Sequence, residues 1–462
     1  MTPTRGPRSR RARAVQAVAR VALLAPLALG CGDSVDPRRP SSVLAEVSPA
    51  IATVIDVSWQ TDEDSIGYVE YGATEGLGLT TPLEDTPTRE HRVSLLGLQA
   101  DTLYYYRVVT WDGDDAGRSG LESLRTGDLP IGLPPLTRTG EGHDQFTLVP
   151  ILGATTAVTV IDPAGEIVWY HRDDRELDFY RARLSKDGTS ILYNAASVSG
   201  DPADDSELVR VSLDGTNTSS IPVPLLAHDF VELDDGTLGA IVVEYRDFEG
   251  QPLRGDKLVE IAPDGTQTTV WSAWNCFDPA LVKSDEPAQG WTFANALDYD
   301  AGEDAYYIGM RNISSIAKVN RASGECEWVF GLMGSTFEFA SGSTRFLHQH
   351  QFQVRGNRIL ILDNEGSPGR ESRVLEYELD VAAGLATQVW SYVANPSVYT
   401  FVLGEPIRFD DGGTFVNWSA AGQMERLTAS GEVTWKLNTG AGYVFGFNTL
   451  AQSLYPPRSA RP

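Results

Sequence analysis

The sequence predicts an all-β protein, in which a small β-sandwich is followed by a six-bladed β-propeller. Three observations predict it. Between Val43 and Thr126, short β-like runs alternate in polarity and are separated by turn residues. Beyond residue 138 a turn glycine, followed at an even spacing by a large side chain, recurs six times. A second family of tight turns falls between those copies, so each repeat holds two hairpins.

The elements follow in chain order. Residues 1–30 read as a secretion signal: a basic run Arg5–Arg20, then the apolar stretch Val21–Leu29. That stretch is too short for an ordinary membrane span. Ala28-Leu29-Gly30-Cys31 resembles the lipobox of bacterial lipoproteins, which implies lipid on Cys31 and an exported, cell-envelope protein facing the periplasm or the outer surface. The plainer alternative is an ordinary signal peptide cut nearby. Residues 31–42 form a polar, proline-containing tether.

The sandwich is expected over 43–127. Val57-Ser-Trp59 and Tyr68-Val-Glu-Tyr71 are two of its strands, and Leu98, Ala100, Thr102, Tyr104, Tyr106 and Val108 share one parity. This stretch resembles the fibronectin type III domain, with Trp59 as its core tryptophan and Leu98 to Tyr104 as its tyrosine-corner segment. The resemblance implies a spacer or docking role.

Residues 128–137 are the linker, and the propeller is expected over 138–457. The first turn family is Gly165…Trp169, Gly215…Ile221, Gly265…Trp271, Gly324…Trp328, Gly384…Trp390 and Gly431…Trp435. An even step keeps the large side chain on one face of a strand, where blades pack on one another. The second family is Lys186-Asp-Gly188, Asp234-Asp-Gly236, Asp300-Ala-Gly302, Arg355-Gly-Asn357 and Asp410-Asp-Gly412. Six outer hairpins face only five inner ones. Phe146–Val149 and Phe445–Tyr455 can supply the missing pair and seal the ring with strands from both ends. No helical domain remains to be placed.

Charge narrows the function. The formal net charge is −26, and the six arginines of residues 1–30, with no acid among them, mean that removing the leader lowers it to −32. Such a surface repels phosphate backbones and anionic headgroups, which excludes nucleic acid as a partner and leaves the membrane to a lipid anchor alone. A site for an anion must then build its own positive potential. Besides Cys31 the cysteines are Cys276 and Cys326, which in an oxidising compartment form a possible disulfide. There is no CxxC, HExxH, GxSxG or phosphate-binding glycine loop, and the Asp-Gly turns lack the oxygen ligands of a calcium loop.

The central channel of a propeller gathers the starts of the inner strands, so polar residues just before the inner hairpins are the candidates. They are Ala227-His228-Asp229-Phe230, Trp291-Thr-Phe-Ala-Asn295 with Ile308-Gly-Met-Arg311, and Phe346-Leu-His-Gln-His350 with Leu362-Asp-Asn364. Through these segments, and through Ser372-Arg-Val-Leu-Glu-Tyr377, the chain resembles the bacterial arylsulfotransferases from about Gly153 to Tyr455. The resemblance implies an exported six-bladed propeller that moves a sulfuryl group through a sulfohistidine. It makes His350 the nucleophile, with His228, Asn295 and Arg311 holding the sulfate oxygens. The substrates implied are a small aromatic sulfate ester and a phenol acceptor, and no metal or organic cofactor is required.

Three positions depart from the family pattern. Phe293 stands where a second histidine is usual, Gly446-Phe447-Asn448 stands where a Tyr-Arg pair is common, and Gln351 stands where Asp is common. His348 shares a face with His350 if the segment is extended, and is then a candidate to replace the lost donor. Each site residue has a plainer reading beside this one. A histidine in a β-protein is more often a packing or surface residue, and an arginine in so acidic a chain more often pairs with a surface acid. Asp363-Asn364 lines the channel or caps a turn. The five repeat tryptophans read as blade core, and His91, His143 and His171 have no supporting pattern. Two other functions remain open. One is a non-catalytic binding propeller, for which Phe293 is the motive. The other is a metal site built from His228, His348 and His350.

Overall fold

A computed structural model describes residues 39–111, 116–173, 177–197, 204–284, 286, 289–365 and 370–456 of the protein, all within one compact unit, Pro37–Pro462. The expected leader and Cys31 lie outside the described residues. The structure is all-β, and the one α-helix among the described residues is the single turn Ala273–Cys276. No helix among these residues is long and apolar enough to cross a membrane.

The N-terminal part is two β-layers joined by one long strand, Ile55–Gly72. Its first half pairs with Ser41–Val47 and Thr88–Leu95, and its second half with Leu79–Thr80 and Leu103–Trp111. The register breaks between Gln60 and Ser65, which lets the strand pass from one layer to the other. Ala116–Arg118 and Glu122–Arg125 complete the second layer. Trp59, Tyr71, Leu98, Tyr104, Tyr106 and Val108 fill the space between the layers. The expected single parity from Leu98 to Val108 holds only from Tyr104 onward. A turn with Asp101 at φ +43° precedes the strand, so Ala100 and Thr102 do not continue its inward face. Tyr104 closes that turn by accepting the Gln99 N–H at 3.0 Å.

Six sheets follow, arranged as propeller blades. The first comprises Phe146–Leu152, Ala157–Ile161 and Ile167–Arg172, and its inner edge is supplied by Val444–Phe445 and Thr449–Ala451. The second to sixth begin with the inner strands Asp178–Leu184, Leu226–Glu232, Ala294–Asp300, Phe352–Arg355 and Glu405–Arg408. The sixth carries Leu136–Gly140 as an extra strand outside Val433–Thr439. Both ends of the propeller sequence therefore cross the same seam, one on the inside and one on the outside.

All six repeat glycines adopt positive φ; Gly165 lies at +88° and Gly324 at +70°. At Gly324 a Cβ would also stand 2.2 Å from the Val270 carbonyl oxygen of the preceding blade, so only glycine fits. Four of the inner-hairpin glycines or glycine neighbours behave as expected, whereas at Asp300-Ala-Gly302 the positive φ falls on Asp304. There the Asp300 carboxylate accepts the N–H groups of Gly302 and Glu303 and shapes a longer turn.

The repeat tryptophans lie on the fourth strand of their blades and join blades. Trp169, Trp271 and Trp435 are fully buried, and their indole N–H groups reach Leu213 O, Cys326 Sγ and Pro163 O, each in the following blade. Trp328 and Trp390 are only half-buried, and Trp390 lies 4.2 Å beneath the Arg408 guanidinium. A disulfide joins Cys276 to Cys326 across the third and fourth blades, with Cα atoms 5.8 Å apart.

The N-terminal β-part docks on the end of the ring that holds the inner hairpins. Ile51, Val54 and Leu96 enter the apolar core of the first blades. Ser48 Oγ donates to Asp214 O at 2.6 Å, Thr53 Oγ1 to Val168 O at 2.8 Å, and Gln99 Nε2 to Asp162 Oδ2 at 2.8 Å. The C-terminal Tyr455 hydroxyl donates to Ser94 O and accepts the Leu96 N–H, both at 2.9 Å. The opposite end, where the inner strands begin, is left to the candidate residues.

Candidate active site

The inner strands of the second to sixth blades all begin at one end of the ring. The residues singled out in the sequence lie at or just before those beginnings. His228 is the third residue of its strand and Asn295 the second of its own, while His350 lies two residues before Phe352–Arg355. Arg311 follows the strand Ala305–Met310 and opens a single 3-10 turn. All four side chains are buried: His228 is 6% exposed, Asn295 0%, Arg311 7% and His350 2%.

The ring of His350 is held by Asn364. Its Nδ1 lies 2.9 Å from Asn364 Oδ1, and Asn364 Nδ2 donates to the carbonyls of Thr400 and Leu403 at 2.8 and 3.2 Å. Because the amide nitrogen is committed to two carbonyls, Oδ1 must face the imidazole as an acceptor. His350 therefore carries its proton on Nδ1, and Nε2 keeps the lone pair. Burial first, then the Arg311 guanidinium and His228, holds His350 well below the ordinary histidine range, against an opposing contribution from the Asn364 hydrogen bond. It is a neutral imidazole with a fixed tautomer.

His228 is neutral as well. Burial, followed by the charges of Arg254 and Arg311, pushes it down to about 3, although Asp229 pulls the other way. Its Nδ1 has no hydrogen-bond partner among the described residues. The backbone around it is fixed by Asn194, whose Nδ2 donates to Ala227 O and His228 O at 3.1 and 2.9 Å. The ring of Phe293 meets the ring of His228 edge-on at 5.0 Å, and the guanidinium groups of Arg254 and Arg311 stand over Phe293 at 5.4 and 6.0 Å. Histidines 228 and 350, arginines 254 and 311 and Phe293 thus form one cluster.

Asn295 and His348 are placed differently from the sequence expectation. Asn295 Nδ2 donates to the Gln349 carbonyl at 2.9 Å, so the amide fastens the His350 segment to the fourth blade. His348 sits at φ +52°, which breaks the extended backbone on which a shared face with His350 depended. Its Nδ1 lies 4.0 Å from Glu286 Oε1. Glu286 Oε2 also accepts a hydrogen bond from Arg311 Nη1 at 2.5 Å, and Asn312 Oδ1 accepts from the same nitrogen at 3.0 Å. Among the described residues no group of three or more His, Cys, Asp or Glu is arranged to hold a metal ion. The three-histidine metal site therefore lacks its geometry.

Below the cluster lies a network that the sequence analysis did not find. Arg181, 1% exposed, donates from Nε to Asp229 Oδ1 at 2.9 Å, and from Nη1 to Glu405 Oε2 and Asn448 O at 2.7 Å each. Asp229 Oδ2 also accepts from Gln351 Nε2 at 2.5 Å and from the Leu297 N–H at 3.0 Å. Every blade contributes to it: Asn448, Arg181, Asp229, Leu297, Gln351 and Glu405 in blade order. Burial disfavours the charged form of both carboxyls. At Asp229 the pull of Arg181 and Arg183 wins and the carboxyl is lowered, whereas at Glu405 burial wins and it is raised. Gln351 is explained by this arrangement, because a carboxylate at 351 would face Asp229 with no proton between them. Phe447 is likewise accounted for: its buried ring packs 6.3 Å from His350 and 4.9 Å from the Arg181 guanidinium.

Asn194 and Asn417 are a second missed signal, and Asn364, which the sequence offered as a channel or turn-capping residue, shares their role. Asn194 lies two residues before the end of the second strand of its blade, Asn417 ends its own and Asn364 follows its own, and each donates to carbonyls in or leading into the next inner strand; Asn417 reaches Gly446 O at 2.7 Å. An Asn closing a buried aliphatic strand is the pattern that could have shown them. Asp363 is a structural cap, accepting the N–H groups of Leu347 and Glu365 and the Arg373 guanidinium. His91 belongs to the sandwich core, stacked on Trp59 at 4.7 Å and bonded to Glu84 at 2.7 Å.

Comparison with solved structures returns chains of low similarity. A protein of unknown function from Bacteroides caccae shares 13% identity at a TM-score of 0.45, covering 67% of this chain and all of that one. The β-propeller domain of Cps50 (Swd1) from Myceliophteria thermophila shares 10% identity at 0.38, covering 64% of this chain and 88% of that one. A streptogramin B lyase shares 10% at 0.34, covering 66% and 98%. No curated protein matches. The family model described as arylsulfotransferase (ASST) matches residues 136–441, which is the propeller from its extra outer strand up to, but not including, the closing strands Val444–Phe445 and Thr449–Ala451, with all the clustered residues inside it, and the chain belongs to that family.

Proposed function

We propose that this protein moves a sulfuryl group from a phenolic sulfate ester to a phenol, with His350 as the covalent carrier. The observation that carries the reading is the clamp of Asn364 on His350 Nδ1, which leaves Nε2 as a neutral, lone-pair nitrogen in a buried site. In the first half-reaction Nε2 attacks sulfur, the bond from sulfur to the aryl oxygen breaks, and the phenolate leaves. In the second, the acceptor phenol oxygen attacks sulfur, the bond from nitrogen to sulfur breaks, and the phenol proton passes to solvent. His228 is neutral and its one N–H is engaged by the Ala294 backbone, so its open Nδ1 is a weakly basic acceptor that relays the phenol proton to solvent in this scheme. Arg311 supplies charge to the peripheral oxygens through Nε and Nη2, since Glu286 and Asn312 both engage Nη1.

Incubation with 4-nitrophenyl sulfate is expected to add one sulfuryl group, labile to acid, to the peptide containing His350. Unchanged turnover in a folded His350→Ala variant would sink the reading. A second reading, a binding propeller with a degenerate site, is favoured by Phe293 and by the Glu286 carboxylate on Arg311. Activity that appears only on Phe293→His supports it.

The same proposal covers the parts outside the ring. The leader directs export, Cys31 carries lipid, and the two-layer N-terminal part is a fibronectin type III-like spacer. Cys31→Ser is expected to move the protein from the membrane fraction to the soluble envelope fraction.

A further inference from the structure

The third blade carries an extension that the repeat does not need. Its second and third strands, Leu238–Phe248 and Gln251–Ile261, have eleven residues each. The corresponding strands of the second, fourth, fifth and sixth blades have between four and eight. The extra length places Arg254 beside the segment that carries Phe293. Arg254 O accepts the Trp291 N–H at 2.7 Å, and two residues on, Asp256 Oδ2 accepts from Thr292 Oγ1 at 2.5 Å and from the Ala294 N–H at 2.8 Å. Residues 291–294 are thus buttoned to the hairpin on both sides of Phe293. Gly290, at φ +114°, clears the way for the arginine stem, because a Cβ there would come within 3.0 Å of Arg254 Cδ.

Resting on the sulfuryl-transfer reading, we propose that Arg254 is a sulfate-binding residue of this site and substitutes for the donor lost at position 293. Its guanidinium stands over Phe293 at 5.4 Å, next to that of Arg311 at 6.0 Å, and Phe293 touches His228. A chain with a net charge of −26 gathers two arginines over one ring that also touches His228, and so builds the local positive potential that an anionic ester needs. The cation reaches in from the third blade, where a histidine would have reached from the fourth. It acts over a longer distance and carries a full charge, so it does not need the short hydrogen bond that an imidazole makes. Phe293 becomes a platform that keeps the guanidinium oriented and partly dry.

The test uses the full chain and two probes, inorganic sulfate and 4-nitrophenyl sulfate. Arg254→Gln is expected to weaken sulfate binding by tenfold or more in calorimetry and to raise KM for the ester by a similar factor, with kcat changed less. Arg254→Lys is expected to keep affinity within a few-fold, and Phe293→His in the Gln background is expected to restore it. In the unmodified chain, sulfate should protect the Arg254 peptide from phenylglyoxal, a readout that needs no variant to fold. Equal modification with and without sulfate, or unchanged sulfate affinity and KM in folded Arg254→Gln, would overturn the assignment. Sulfate binding that depends on Arg254 in a chain that turns over no ester would retain Arg254 and reject the transfer chemistry.

Discussion

At the scale of single residues the site rests on one amide. Asn364 fixes both the tautomer and the plane of His350, so Asn364→Leu should leave the fold intact and lower kcat by one to two orders of magnitude, with KM little changed. A matching rise in KM, or no change in kcat, would mean that Asn364 only caps its turn. The neutral state of His350 has a pH signature. Because burial and Arg311 hold it well below the usual range, kcat/KM should show no acid limb near the free-histidine value of about 6.5. A limb there would show that the imidazole titrates as if exposed. His350, His228 and Arg311 were legible because short motifs carry them. Arg254 was not, because its signal is the length of a strand pair and not a residue pattern. His348 misled because spacing by two implies a common face only in extended chain, and its backbone is left-handed.

At the scale of elements, the blades are joined by side chains that cross between them. Arg181 is paired to Asp229 and Glu405 in the dry centre, and removing one partner strands a buried charge. Arg181→Met is therefore expected to destabilise the propeller by about 3–5 kcal/mol. Combining it with Asp229→Asn should recover part of that loss in urea unfolding, and strictly additive losses would contradict a shared network. The disulfide between Cys276 and Cys326 closes a loop spanning 50 positions in sequence, and reduction should lower stability by roughly 4 kcal/mol in the chain-entropy picture. An unchanged melting temperature after reduction would show that the blade contacts alone hold that edge. The glycine and tryptophan turns made the blades readable, since they recur at even spacing on exposed hairpins. The network beneath them was hidden, because its six members come one from each blade and share no local motif.

At the scale of the whole molecule, acid should unfold the protein through its buried histidines. His143 is pushed down to about 4 and His228 to about 3, chiefly by burial. The unfolded chain therefore binds more protons than the folded one from about pH 6.5 downward. Their stabilisation is complete above that value and is lost as pH falls towards 3, at up to about 1.4 kcal/mol per pH unit for each group. His143→Gln should flatten the lower part of a stability profile measured between pH 7 and 4, and an identical profile would remove His143 from the account. The ring closure has a consequence for the order of folding during synthesis. The first blade obtains its inner strand from Val444–Phe445 and Thr449–Ala451, and Tyr455 is the residue that clasps the sandwich. A growing chain can complete the sandwich early, yet it leaves Phe146–Leu152 with an open edge until nearly all the rest has emerged. Whatever handles this polypeptide before then must shield that edge, and the six-blade network around Arg181 comes together only when the circle shuts.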